Sequence, residues 1–240
     1  MKKVILITLL ITAIIPVLGQ EEISEPFLKN EAKILATDLL NGSFVLGYER
    51  ALGRHLGVSL MLGYKSKDGL LKLSGLNTEQ LKTEALSYSG LRVIPEVRYY
   101  LKEGTDGMRT GFYFGGYLTF MRYKSDFKGI YTNENGNFPF QYEATINTSS
   151  VGLMIGYKLK LSKHFNLDFL IAGPGAGAYK FKLKEVTPAP DEFWIDLNDA
   201  LELYSLADLI NADFDFSATK NSNDLVLPSF RYGISLGYSF

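Results

Sequence analysis

From Leu225 to Phe240 the sequence repeats with a period of two, and that period restricts the fold more than any other feature. Val226, Phe230, Tyr232, Ile234, Leu236, Tyr238 and Phe240 fall on one face of a strand, while Ser229, Arg231, Gly233, Ser235, Gly237 and Ser239 fall on the other. A helix would scatter both sets around its circumference. A face of large apolar groups backed by one of Gly and Ser suits a closed wall with hydrocarbon outside and a crowded lumen inside. A soluble edge strand carries the same alternation, but it ends in polar residues, whereas this run ends on Phe240.

The alternation recurs upstream, bounded by turn signals. Glu31 to Leu39 is the weakest segment and leans on Asn41-Gly42, a pair that favours a type I′ hairpin turn. Ser43–Leu52, His55–Lys65, Thr83–Leu101, Thr110–Lys124, Thr148–Leu161 and His164–Lys182 follow, making eight strands with the terminal one. In Thr110–Lys124 both faces carry aromatics; we assign Phe112, Phe114, Leu118 and Phe120 outward, and Tyr113, Tyr117 and Tyr123 inward, where hydroxyls find partners. Gly173 to Gly177 marks a bulge or bend. Short connections at Gly53-Arg54, Lys102–Arg109 and Ser162-Lys163 alternate with long ones at Ser66–Lys82, Ser125–Asn147 and Leu183–Asp224. The expected fold is therefore all-β: an eight-stranded antiparallel transmembrane β-barrel with short periplasmic turns and long extracellular loops.

Composition agrees with that class. The chain has 15 Tyr, 16 Phe and 23 Gly but one Trp, a strand-rich balance. A net charge of -1 offers nucleic acid no electrostatic foothold, and the lack of Cys excludes disulfides and thiolate chemistry. Lys2 and Lys3 before the apolar run Val4–Leu18 read as a signal peptide over 1–19, cleaved near Gly19; Pro16 weighs against the alternative of a retained anchor. Residues 20–30 form a periplasmic arm and 31–240 the barrel, so the expected location is the bacterial outer membrane.

An interior wide enough only for side chains should be filled. Glu49, Arg92, Glu96, Arg98, Lys158, Lys160 and Asp168 are expected there, either as a salt-bridge plug or as a polar path for protons or a small solute. Chemistry has little to work with. His55 and His164, the two histidines, stand beside short turns, and the sequence holds no nucleophile elbow and no HExxH, so no catalytic residue, cofactor or metal is expected. The segment 185–224 is acidic, with Asp191, Glu192, Asp196, Asp199, Glu202 and Asp208. Phe193, Ile195, Leu197 and Leu201 within it suit an amphipathic helix or short strands folding over the mouth; the same segment is a candidate surface for an extracellular partner.

Three stretches carry a family likeness: Leu39-Leu40-Asn41-Gly42-Ser43-Phe44-Val45-Leu46-Gly47-Tyr48-Glu49-Arg50-Ala51-Leu52, then Pro95-Glu96-Val97-Arg98-Tyr99-Tyr100-Leu101, and Gly111-Phe112-Tyr113-Phe114-Gly115-Gly116-Tyr117. They resemble strand and turn signatures of the small outer-membrane β-barrel proteins of the Bacteroidetes, with a more distant likeness in architecture to OmpX and the OmpA membrane domain. Tyr238 and Phe240 are similar to the C-terminal signal read by the barrel-assembly machinery. The resemblance implies outer-membrane lipid and that machinery as partners, and brings no activity to transfer. The expected function is a non-enzymatic structural or surface-interaction role; a lipocalin-like periplasmic binder and a narrow channel are the alternatives.

Overall fold

The computed structural model describes residues 28–67, 74–102, 108–204 and 214–240. The expected leader over 1–19, most of the arm, and Asp208 lie outside them. Nine strands are described: β1 (Asn30–Leu35), β2 (Ser43–Leu52), β3 (Leu56–Lys65), β4 (Leu81–Thr83), β5 (Tyr88–Tyr100), β6 (Gly111–Asn133), β7 (Gly136–Lys160), β8 (Phe165–Thr187) and β9 (Ser222–Ser239). Two helices accompany them, α1 (Ala36–Leu40) and α2 (Phe193–Tyr204).

Eight of the strands close into a ring. Each pairs antiparallel with its neighbours in the order β1-β2-β3-β5-β6-β7-β8-β9, and β9 returns to β1. The ring is staggered: Ile34 pairs with Leu46, and the row runs on through Leu62, Val93, Phe120, Ser149 and Ala178 to Val226. Ile34 itself pairs with Leu236, so one circuit slips ten residues along β9. Such a stagger tilts the strands and sets the width of the interior.

The two faces divide as the alternation requires. On β3 and along the lower part of β6 and β7, successive residues are exposed and buried in turn. Phe112, Phe114, Leu118 and Phe120 point outward, while Tyr113 and Tyr117 are buried inside. The outward face is apolar along the lower ring and becomes polar higher up, at Arg122, Lys124, Asp126 and Lys128 on β6. The lower end, where the short turns lie, carries a circumferential set of ring contacts: His55 on Tyr99, Tyr99 on Phe114, Phe112 on Tyr157, and Tyr238 on His164, Phe165 and Phe240. Both chain ends of the ring meet there, because Phe240 N donates to Asn30 O at 2.8 Å.

Four expectations need correction. Residues 125–147 are not a loop: β6 and β7 continue as one tall hairpin with a two-residue turn at Glu134-Asn135. Its inward face, with Phe127, Tyr131, Phe140 and Tyr142, is buried under α2, and that packing holds the strands above the ring. Asn41-Gly42 does not close a hairpin. The first strand stops at Leu35 and the short helix α1 precedes the turn, with Gly42 at φ 68°, which glycine adopts without a Cβ clash. The segment read as one strand from Thr83 splits into β4 and β5, so the sheet has a ninth strand, β4, paired outside the ring to β6. The register slip in β8 falls between Leu170 and Gly173, at the start of the glycine-rich stretch and not across it.

Candidate functional site

The interior of the ring holds one ionic cluster. Glu31 and Lys33 come from β1, Glu49 from β2, Glu96 and Arg98 from β5, Lys158 from β7, Asp168 from β8 and Arg231 from β9. Their odd or even positions put each on the inward face of its strand. Lys33 Nζ lies 2.7 Å from Glu49 and 3.7 Å from Asp168. Arg98 pairs with Glu96 at 2.7 Å, with Glu49 at 3.4 Å, and with Asp168. Lys158 lies 2.9 Å from Glu31 and 3.3 Å from Glu49, and Arg231 reaches Glu96 at 2.8 Å.

Four carboxylates thus meet four cations in a space closed to solvent; all but Arg231 are buried. Neutral hydroxyls and an amide complete the shell. The Tyr100 hydroxyl donates to Glu49 at 2.6 Å, the Tyr113 hydroxyl to Asp168 at 2.7 Å, and Asn166 to Glu31 at 3.1 Å. Arg98 lies over the Tyr113 ring and Lys158 over the Tyr100 ring. Pairing of this kind is what a buried charge requires; Glu31 Oε1 and Arg231 Nη1 are the cluster's charged atoms left without a hydrogen-bond partner among the described residues.

The glycines of the inward face make room for these long side chains. A Cβ on Gly47 would stand 2.7 Å from Lys33 Cγ, and one on Gly57 would stand 2.8 Å from Glu49 Oε1. On Gly156 it would land on the Tyr113 hydroxyl, and on Gly237 it would stand 2.6 Å from Asn166 Oδ1. The small residues and the charges are therefore one device. Above the ionic layer, Leu35, Val45, Met61, Ile94, Tyr117, Met154 and Leu170 extend the packing.

Of the interior residues expected from sequence, Glu49, Glu96, Arg98, Lys158 and Asp168 come together. Arg92 points inward but pairs with Asp38 of α1 and not with the cluster. Lys160 is half-buried at the end of β7, opposite Asn166. Sequence reasoning missed Glu31 and Lys33, which lie in the short, poorly alternating first strand, and did not carry Arg231 from its inward position into the cluster. The parity of β9, with Arg231 on the glycine and serine face, was the available signal. His55 Nδ1 and His164 Nδ1 each lie 2.8 Å from a backbone carbonyl oxygen, of Tyr100 and Ser239, and tie the turns to adjacent strands.

The acidic segment forms a cap. Phe193, Trp194, Leu197 and Ala200 of α2 pack with Phe216 onto Leu81, Phe127, Tyr131, Phe140 and Tyr142. Asp196, one of the acidic residues of this segment, accepts a hydrogen bond from the Tyr131 hydroxyl at 2.6 Å. Burial, and then that bond, push the Tyr131 phenol above its usual range. Asp191 and Ile195 are exposed, Asp199 and Glu202 lie on the outer side of the helix, and Tyr238 and Phe240 stand on the outward face of β9.

Comparisons with curated proteins and with solved structures returned no match. A family model does match, over residues 5–185, which takes in β1 to most of β8 and stops before α2 and β9. With three quarters of its length so covered, the chain belongs to the family described as protein of unknown function, DUF3575.

Proposed function

We propose that this protein is a bacterial outer-membrane β-barrel without catalytic activity, plugged by its ionic cluster, with a structural or surface-interaction role at its capped end. The observation that carries the reading is an inversion of the usual globular arrangement: apolar side chains outside, ion pairs inside. Leu153 is 73% exposed while Lys158, on the same strand and the opposite face, is 1% exposed. Large apolar side chains exposed on strand after strand around the ring, from Phe44 and Leu62 to Leu153 and Leu236, are what soluble monomers avoid.

Dimensions support the same reading. From Val151 on β7 to Leu161, just past its end, the outward residues are apolar; at ~3.3 Å per residue and a tilt of roughly 40°, that is about 25 Å along the axis, the height of an outer-membrane apolar band. The aromatic set at the turn end corresponds to an interfacial girdle. A lipocalin-like binder asks for an apolar cavity, whereas here ion pairs fill the lower lumen and Leu35, Val45, Met61 and Ile94 are packed above them.

Fractionation tests the reading. The mature protein should sediment with the outer membrane and migrate faster unheated than boiled in detergent gels; recovery in the soluble periplasmic extract would refute it. Planar-bilayer recording of refolded protein should find no steady conductance. A sustained solute-sized conductance would replace the plug with the channel alternative.

A further inference from the structure

At one seam the ring is closed by strand pairing for only part of its height. β1 ends at Leu35 and gives way to α1, so above Ser235, among the described residues, β9 pairs with β8 alone. The even residues of β9 direct their backbone groups toward this seam: Phe240 exchanges hydrogen bonds with Asn30, and Ile234 N donates to the Thr37 hydroxyl at 3.3 Å. Tyr232, Phe230 and Val226 come next on that side with no strand beside them among the described residues, and Pro228 has no N–H to offer. Their side chains are 71%, 62% and 77% exposed, and α1 turns Leu39 and Leu40 outward across the seam. Tyr232 stands as far from Phe240 as Phe120 does from Phe112, at the upper rim of the apolar band.

Behind the seam lie cationic donors. Arg231 crosses the lumen to Glu96 at 2.8 Å, and Arg92, two inward positions further up β5, reaches back to Asp38 on α1. Arg231 Nη1, Arg92 Nε and Ser229 Oγ are buried without a hydrogen-bond partner among the described residues.

Resting on the membrane reading above, we infer that this seam is a lateral binding site for an anionic lipid of the outer leaflet. The acyl chain descends from Tyr232 along Leu39 and Leu40, and headgroup oxygens enter above it, between Arg231, Arg92 and Ser229 at the level of Phe230. At the rim the backbone edge at Tyr232 borders hydrocarbon, which leaves its polar groups unsatisfied, and headgroup oxygens supply the missing partners. Pro228 weighs against a second strand as the occupant, since proline on an edge blocks strand addition. The unpartnered guanidinium N–H groups select a negative headgroup over a neutral one.

The test reconstitutes the full mature chain in vesicles doped with a photoactivatable phosphatidylglycerol or its phosphatidylcholine counterpart, and maps the cross-links by peptide. Phosphatidylglycerol should label α1 and upper β9 about tenfold more than phosphatidylcholine, the ratio that one charge-assisted hydrogen bond supports. Arg231→Gln should remove that preference. Ser229→Leu, which leaves every charge in place, should reduce labelling at the seam. Equal labelling by both lipids, or labelling spread evenly around the wall, overturns the site. Disulfide-linked dimers of Tyr232→Cys, the sole thiol in such a variant, would also overturn it by placing a second β9 at the seam. Heat-modifiable migration of the same samples separates the two readings: a chain that does not insert refutes both, and one that inserts but labels evenly refutes only the lipid site.

Discussion

Lys158 Nζ and Glu31 Oε2 lie 2.9 Å apart although 127 positions separate them in the chain. The contact joins the first strand to the seventh across the interior, and neither residue has solvent to fall back on.

Lys158→Met should therefore strand Glu31 and part of the charge on Glu49, destabilising the protein by about 3–5 kcal/mol. Urea unfolding of the refolded protein, followed by gel migration, measures this. The double variant Lys158→Met with Glu31→Gln should recover much of the loss, because the neutral amide no longer needs a cation. Additive losses would mean the pair is not coupled.

Glycine spacing on the inward face makes a second test. Gly156→Ala places a methyl on the Tyr113 hydroxyl and 2.6 Å from Phe169 O, so it should cost about 1–3 kcal/mol. Gly116→Ala, on the outward face between Phe114 and Leu118, meets nothing closer than Gly152 O at 3.7 Å and serves as the control, falling within roughly 0.5 kcal/mol of the wild type. The same unfolding assay compares them, and equal effects would contradict the packing described for the lumen.

The cap should unfold apart from the ring. Phe193 is fully buried against Tyr131, Phe140 and Tyr142, so Phe193→Ala should loosen α2 by about 3–5 kcal/mol. Trp194, the one tryptophan, reports this directly as a red-shifted emission, together with new protease cleavage in the 188–221 segment. Heat-modifiable migration should be unchanged. If it is lost, the cap is part of the ring's own stability.

Alkaline pH should release the cap as well. Tyr131 holds its proton more tightly in the folded chain than in the unfolded one, through burial and its bond to Asp196. That contribution is fully present below about pH 10, the ordinary tyrosine value, and is lost as pH rises through the higher folded-state value. Trp194 emission should shift red above about pH 10 in the wild type. Tyr131→Phe should leave a smaller shift, carried by Tyr142, whose phenol burial also raises. An unchanged transition in that variant would assign the effect to other groups.

Much of the wall was readable because a strand's period is local. Val226 to Phe240 on one face, and Gly and Ser on the other, follow from alternation alone, as do the inward positions of Glu49, Glu96, Arg98, Lys158 and Asp168. The tall β6–β7 hairpin was not readable, since polar residues occupy both faces between Arg122 and Asn137, and the cross-strand pairing and the packing of α2 on Phe127, Tyr131, Phe140 and Tyr142 that keep those strands extended are tertiary. Glu31 and Lys33 were hidden in a strand of six residues, too short to display a period.

The sequence by itself decided which side chains look inward and which outward, because that depends only on the geometry of one extended chain. Which of them meet was decided by the tertiary structure, since the ten-residue slip around the ring fixes what lies opposite each charge. Lys158 finds Glu31, Arg231 finds Glu96 and Arg92 finds Asp38 only once eight strands have closed with that stagger.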